Sequence, residues 1–388
     1  MTASPSSQPD PFRRFDLDEL RRRTSMKWRS YPADVLPCWV AEMDVEIAEP
    51  VVEAVAQAMR TGDTGYPAGT AYAEALAEFA ASRWGWDLDP GRCALVPDVM
   101  RGSVELLGLF SAPGDSVVVN SPVYPPFFDF VELSGRKVVP APLAASGRLD
   151  FNALEDAFRR ATADGSAAGF LLCSPHNPTG VVHTAAELTE VARLARSHGV
   201  RVIADEIHAP LVAAGTEFVP YLSAPGTEDA FSLLSASKAW NLPGLKAAVA
   251  VAGPDAADDL VRIPDEVAVG ASHVGVIAHV AALREGVDWL DRVLAGLDRN
   301  RALLSNLLTE HLPAVRHTPA EATYLAWLDC RDLGLGDDPA ATFLQRGRVA
   351  LNSGPTFGRG GEGFARLNIA TSPELITEAV RRMASAVE

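Results

Sequence analysis

Six short apolar runs punctuate the middle of the chain: SVVVN at 116–120, RKVVPAPL at 136–143, GFLLCS at 169–174, VRVIADE at 200–206, FSLLSAS at 231–237 and LKAAVAVAG at 245–253. Each is a short, mostly apolar run, which predicts a buried strand. The stretches between them show helical periodicity. In TAAELTEVARLARSHG, Thr184 stands three residues before Glu187 and Gly199 closes the run. That spacing predicts a capping box and a glycine stop. Strands alternating with amphipathic helices predict an α/β fold whose mostly parallel sheet is covered on both faces. After about Ala281 the texture changes to a long helical stretch through Leu308, followed by strand-like TYLAWLDC, VALNS and ARLNIA and a closing helix from Pro373. This predicts a second, smaller α+β unit.

Composition narrows the partners. The 388 residues carry a net charge of -16, which disfavours non-specific attraction to nucleic acid or an anionic membrane and requires any anionic ligand to meet local cations. No apolar run approaches a membrane span, and MTASPSSQPDP is polar where a signal peptide needs an apolar stretch, so a cytoplasmic protein with a disordered N-terminus is expected. Cys38, Cys93, Cys173 and Cys330 stand far apart without a CxxC pair, and no metal site is expected from them. Lys27, Lys137, Lys238 and Lys246 are the only lysines beside 30 arginines, so few amines compete for a chemical role.

In parallel sheets ligands collect at the carboxyl ends of strands. SPVYPPF, SPHNPTG, DEIHAPL and SASKAWNLPGLK follow four of the six runs. Taken singly they read as turns, caps and surface charge. Ser235 and Lys238 fit the SxxK of penicillin-binding enzymes, but SDN and KTG are missing. Asp205, Glu206 and His208 lack the spacing of a metal-ligand set, no Walker loop or GxSxG occurs, and GRGGEG near residue 360 reads as a mobile loop rather than a dinucleotide turn. Together, an amine, an acid, an amide, an aromatic ring and hydroxyls at successive strand ends match the parts of pyridoxal 5'-phosphate, which has an aldehyde, a ring nitrogen, a ring face and a phosphate. A lysine serving as both amine and base needs a desolvated or cation-flanked setting, since its unperturbed pKa is about 10.4.

The ordered set WVAEMD, GYPAGT, PGDSVVV, PVYPPF, SPHNPTG, DEIH, SASK, GLK and RLNIAT resembles the fold-type I pyridoxal-phosphate enzymes of the class I/II aminotransferase family, from about residue 12 to the C-terminus. WVAEMD, PVYPPF, SPHNPTG and DEIH resemble its MalY/PatB branch of cystathionine β-lyases. The resemblance implies a disordered 1–11, a segment 12–48 joining the small domain, a large cofactor-binding domain at 49–282 and a small C-terminal domain at 283–388. It implies that Lys238 bonds the cofactor aldehyde and later moves the Cα proton, that Asp205 pairs with the ring nitrogen, and that Tyr124 stacks on the ring. Asn177 and His208 would bond the phenolic oxygen. The phosphate would meet Ser235, Ser237, Lys246 and the amides of Val99 and Met100 ahead of a helix starting near Gly102, with Tyr66 reaching in from the second subunit of a homodimer. Arg366 would fork onto the substrate carboxylate, with Trp39, Val40 and Ala41 forming the pocket's lip and Asn177 close by. The chain departs from the family pattern at Glu42, at Asp98-Val99-Met100 and at Pro210.

The function so implied is carbon–sulfur β-elimination of L-cystathionine or another S-substituted L-cysteine to a thiol, pyruvate and ammonia. An aminotransferase shares the same lysine, acid and carbanion and is the alternative. A non-catalytic regulator on this fold is disfavoured by intact Lys238 and Asp205 and by the absence of room for a helix-turn-helix.

Overall fold

The computed structural model describes residues 10–388, so the leader expected to be disordered lies mostly outside the described residues. The described chain starts with Asp10, whose side chain accepts from Phe12 N, and Phe12 is buried.

Seven strands form the main sheet in the order Cys93–Val96, Ala248–Ala252, Phe231–Leu234, Val200–Asp205, Ala168–Cys173, Ser116–Ser121, Lys137–Pro142. All neighbours pair in parallel except those of Ala248–Ala252, which runs antiparallel to the strands on both sides. Cys93–Val96 was not foreseen, because four residues with a half-buried pattern give almost no periodicity. The run 231–237 leaves the sheet at Leu234, where the Ser235 hydroxyl bonds Ala247 O and turns the chain into the loop that carries Lys238.

Helices Val99–Phe110 and Pro126–Leu133 cover one face, over a cluster that includes Val119, Ile203 and Leu233. Phe151–Ala161 and Ala185–His198 cover the other, over Phe158, Phe170 and Val202. Each such fully buried side chain contributes roughly 1.5–3 kcal/mol, so the two apolar faces fix which strand residues point where. The helix Ala185–His198 has the predicted Thr184–Glu187 capping box, and Gly199 closes it with φ 66°.

The smaller unit is an antiparallel sheet, Asn352–Ser353, Phe364–Asn368, Leu325–Asp329, packed with the closing helix Pro373–Ser385. Leu36–Pro37 pairs in parallel with Val349–Ala350, which ties the N-terminal segment to this unit. The long helical stretch is two helices, His273–Glu285 and Val287–His311, broken at Gly286. A Cβ there would lie 2.6 Å from Ala282 O and 2.7 Å from Trp240 Nε1. Instead the indole donates to Gly286 O at 3.0 Å, which anchors a residue two positions beyond Lys238. The GRGGEG loop rests on the large unit: Ser121 Oγ donates to Arg359 O, and Gly358 and Gly360 abut Phe128 and Pro122. No helix among the described residues is long and apolar enough to cross a membrane.

Candidate active site

At the carboxyl ends of the parallel strands one cavity brings together ten residues singled out in the sequence: Ala41, Val99, Met100, Tyr124, Asn177, Asp205, His208, Ser237, Lys238 and Lys246. Arg366 borders it through hydrogen bonds to Asn177 and to Trp39 O. Ser235 does not line it. Its hydroxyl is spent on Ala247 O at 2.7 Å and accepts from Ser237 N at 3.2 Å, so it shapes the loop instead of facing the cavity. Tyr66 stands apart as well, 80% exposed at the surface.

Lys238 sits at the end of a loop held from behind. The Tyr72 hydroxyl accepts from Ala236 N at 3.2 Å and is itself tied to His279 Nδ1 at 2.7 Å, both side chains being buried. Burial, then the Arg366 cation, lowers the Lys238 pKa to about 8, so roughly a tenth of the amine is neutral at pH 7, far more than for an ordinary lysine. Its Nζ donates to Ala41 O at 3.3 Å.

Asp205 ends its strand at the cavity floor and accepts from Ile207 N at 3.1 Å. Burial pushes its pKa up to about 7, against the opposing influences of that amide and Lys238. A carboxylate so placed lacks a full counter-charge from the chain. His208 follows on the next turn; burial drops its pKa to about 3, so the ring is neutral, and Nδ1 is buried without a partner.

Asn177 is oriented from the small unit. Arg366 Nη1 donates to its Oδ1 at 2.9 Å, while Nη2 donates to Asn352 Oδ1 at 2.6 Å and Trp39 O at 3.1 Å. With its oxygen engaged, the Asn177 amide is left with its NH2 donors to offer. Burial lowers the Arg366 pKa to about 10, and the guanidinium lies over the Phe357 ring at 5.0 Å.

The opposite end of the cavity is a helix N-terminus. The helix begins at Val99, three residues earlier than expected, because Asp98 caps it by accepting from Arg101 N at 2.8 Å. Gly102 N is taken by Asp98 O, which leaves the amides of Val99 and Met100 without intrahelical partners, as first-turn amides are. Lys246 pairs there with the other Asp98 oxygen at 3.1 Å.

A strap of backbone from Trp39 to Val45 was legible as a motif but not as a hub. Asn368 Nδ2 donates to Val40 O and Glu42 O, both at 2.7 Å. Asn241, three residues past Lys238 and at φ 58°, exchanges two hydrogen bonds with Met43. Arg23 donates to Met43 O and Val45 O, and the buried Lys27 ammonium bonds Asp44 at 2.7 Å and Glu42 O at 3.2 Å. Lone polar residues in apolar settings, such as Lys27 and Asn241, were the available signal for this clamp.

Residues 31–383 match the family described as aminotransferase class I and II. A protein of Mycobacterium tuberculosis (strain CDC 1551 / Oshkosh), provisionally named a cystathionine beta-lyase, is 55% identical over 397 residues, spanning 97% of this chain and 98% of its own. The cystathionine beta-lyase of Corynebacterium glutamicum is 35% identical over 373 residues, spanning 95% and 98%. The PLP-bound C-S lyase from Staphylococcus hominis aligns in structure with a TM-score of 0.88 at 26% identity, covering 96% of this chain and 99% of that one.

Proposed function

The chain belongs to the class I and II aminotransferase family, fold-type I enzymes dependent on pyridoxal phosphate, and within it we propose that this chain is a carbon–sulfur β-lyase. Its reaction is α,β-elimination of L-cystathionine or another S-substituted L-cysteine to a thiol, pyruvate and ammonia. The observation carrying this reading is similarity along nearly the whole chain to proteins named for cystathionine cleavage.

The polar groups fit the cofactor part by part. Asp205, a buried carboxylate held near pKa 7, suits a ring nitrogen that brings the missing positive charge. The unpaired amides of Val99 and Met100, the Ser237 hydroxyl and Lys246 suit a phosphate at a helix N-terminus. The Asn177 NH2 and the neutral His208 ring suit the phenolic oxygen, and Tyr124 borders the ring space between them. When bound, pyridoxal phosphate supplies an electron sink for the charge left at the substrate Cα.

This chain's residues do the rest. Lys238 would hold the cofactor through its aldehyde, and its amine, with a pKa brought down to about 8, would take the Cα proton. Arg366, fixed by Asn177, Asn352 and Trp39 O, meets the α-carboxylate from the small unit, with Val40 and Ala41 at the lip.

We read the assembly as a homodimer with shared sites. Support comes from Tyr66, Met59 and Val52, large apolar residues at or near the helix Glu49–Thr61 that are 80%, 61% and 46% exposed. Four free cysteines are compatible with the cytoplasm, the compartment we assign. The deciding experiment supplies cofactor-loaded enzyme with L-cystathionine and other S-substituted cysteines. Pyruvate and a thiol in equal amounts are expected; no pyruvate, with accumulation of pyridoxamine phosphate, assigns an aminotransferase instead.

A further inference from the structure

Tyr324 stands just before the strand Leu325–Asp329 and is fully buried. Its hydroxyl donates to Ala41 O at 3.0 Å, and Lys238 Nζ donates to the same oxygen at 3.3 Å. The carbonyls on either side are engaged, Val40 O by Asn368 and Glu42 O by Asn368 and Lys27. The Ala41 carbonyl is therefore held between its two donors by contacts that do not involve either of them.

The backbone just before Tyr324 is costly. Thr323 has φ 69°, a left-handed conformation that a β-branched residue rarely adopts. It is buried and over-determined: Arg301 donates to Thr323 O at 2.5 Å while paired with Asp298, and Thr323 N donates to Leu211 O at 2.9 Å. Leu211 closes the short turn that follows His208. Strain that the surroundings enforce is a pointer to what the neighbouring side chain does. Here it aims one phenol at the carbonyl shared with Lys238.

We propose that Tyr324 is a positioning residue for Lys238: by sharing the Ala41 carbonyl, its hydroxyl weakens that oxygen's hold on the lysine ammonium and keeps the amine free to bond and to carry protons. An oxygen accepting from two donors is a poorer acceptor for each. Burial raises the Tyr324 pKa, so the phenol stays a donor throughout the working range. The charged and titratable groups that face Lys238 are Arg366, Glu42, Lys246, Asp205 and His208, and a change at the Tyr324 hydroxyl leaves all of them in place. The inference rests on Lys238 being the cofactor-bonding amine and holds for elimination and transamination alike.

The test uses Tyr324→Phe, which keeps the buried ring. Cofactor-free full-length enzyme is mixed with pyridoxal phosphate across a pH series, and the rate at which the bound-cofactor absorbance grows is read for both proteins. The midpoint of that profile is expected to rise by about half a unit to one unit, the worth of one hydrogen bond. In the loaded enzyme kcat should fall about three- to tenfold, with KM for the S-substituted cysteine within about twofold. An unchanged or lowered midpoint overturns the proposal, whether or not the melting temperature falls, because a merely structural hydroxyl would move only the latter.

Discussion

Arg366 on the small unit and Asn177 at a strand end of the large sheet hold each other directly, guanidinium Nη1 to amide Oδ1 at 2.9 Å. One contact thereby aligns the candidate carboxylate-binding group with a candidate cofactor donor. Asn177→Asp would strengthen the tie to Arg366 while replacing the NH2 donor with an acceptor. The expected result is a shifted absorbance band, kcat lower by roughly 10–100-fold, and a raised KM as Arg366 is neutralised. Steady-state kinetics and an absorbance scan check all three.

The two lysines of SASKAWNLPGLK should separate by experiment. Lys238 is half-buried against Ala41 O, whereas the Lys246 side chain is 57% exposed and pairs with Asp98. Lys238→Ala should bind the cofactor without forming the near-visible band and should show no turnover. Lys246→Ala should form the band and keep activity at high cofactor concentration, with affinity weaker by roughly tenfold and a smaller salt dependence, since an exposed cation is screened. Cofactor titrations at two ionic strengths distinguish them.

Asp205 makes the cofactor-free chain pH-sensitive. Its folded pKa of about 7 lies above the ordinary value of 3.8, so the folded state holds a proton that the unfolded state has lost. The stability associated with that proton is complete below about pH 4 and is lost as pH rises through 7. Glu206, pushed up to about 8 by burial, adds a slope of the same sign, so the comparison must be between variants. Cofactor-free Asp205→Asn should melt higher than the parent at pH 8, with the gap closing toward pH 4. Loaded with cofactor, the same variant should lose activity by roughly 100-fold or more. Thermal melts across pH, with and without pyridoxal phosphate, read both effects.

The alternating strands and helices were legible because period and turn residues agree, as at Thr184, Glu187 and Gly199. The cavity residues were legible because strand ends gather in one place, and a motif at each end needs no tertiary detail. Ser235 escaped that logic: a serine beside a lysine reads the same whether its hydroxyl faces a ligand or, as here, Ala247 O. The helix starts at Val99, ahead of the expected Gly102, because Asp98 is its N-cap, a role that its departure from the family's turn conceals in the sequence. Tyr324, Asn241 and Lys27 act across 17 to 283 positions of chain, so a lone polar residue can flag Asn241 or Lys27 but not the distant partner each one meets.

The proposed dimer with shared sites predicts complementation. Tyr66→Ala and Lys238→Ala proteins should each be weak or inactive alone. Mixed and re-paired, a hybrid would hold one site with an intact lysine facing an intact Tyr66 from the other copy. About a quarter of the sites should then recover, the fraction expected from random pairing of equal amounts. No recovery, in a preparation shown by sedimentation to contain hybrids, would place Tyr66 outside the site.

Lys27 and Asp44 form a buried ion pair at 2.7 Å, with Trp28 Nε1 donating to the second carboxylate oxygen at 3.1 Å. Removing Lys27 leaves the Asp44 charge buried with only Arg23, 3.8 Å away, to offset it. Breaking such a pair typically costs roughly 3–5 kcal/mol, whereas removing both charges costs much less. Lys27→Met should therefore lower the urea midpoint strongly, and Lys27→Met with Asp44→Asn should recover much of it. Activity should not recover in step. Lys27 also donates to Glu42 O, next to the carbonyl that Lys238 uses, and neither substitution restores that bond. A double variant that is stable yet slow, with KM little changed, would separate the strap's contribution to folding from its hold on Lys238.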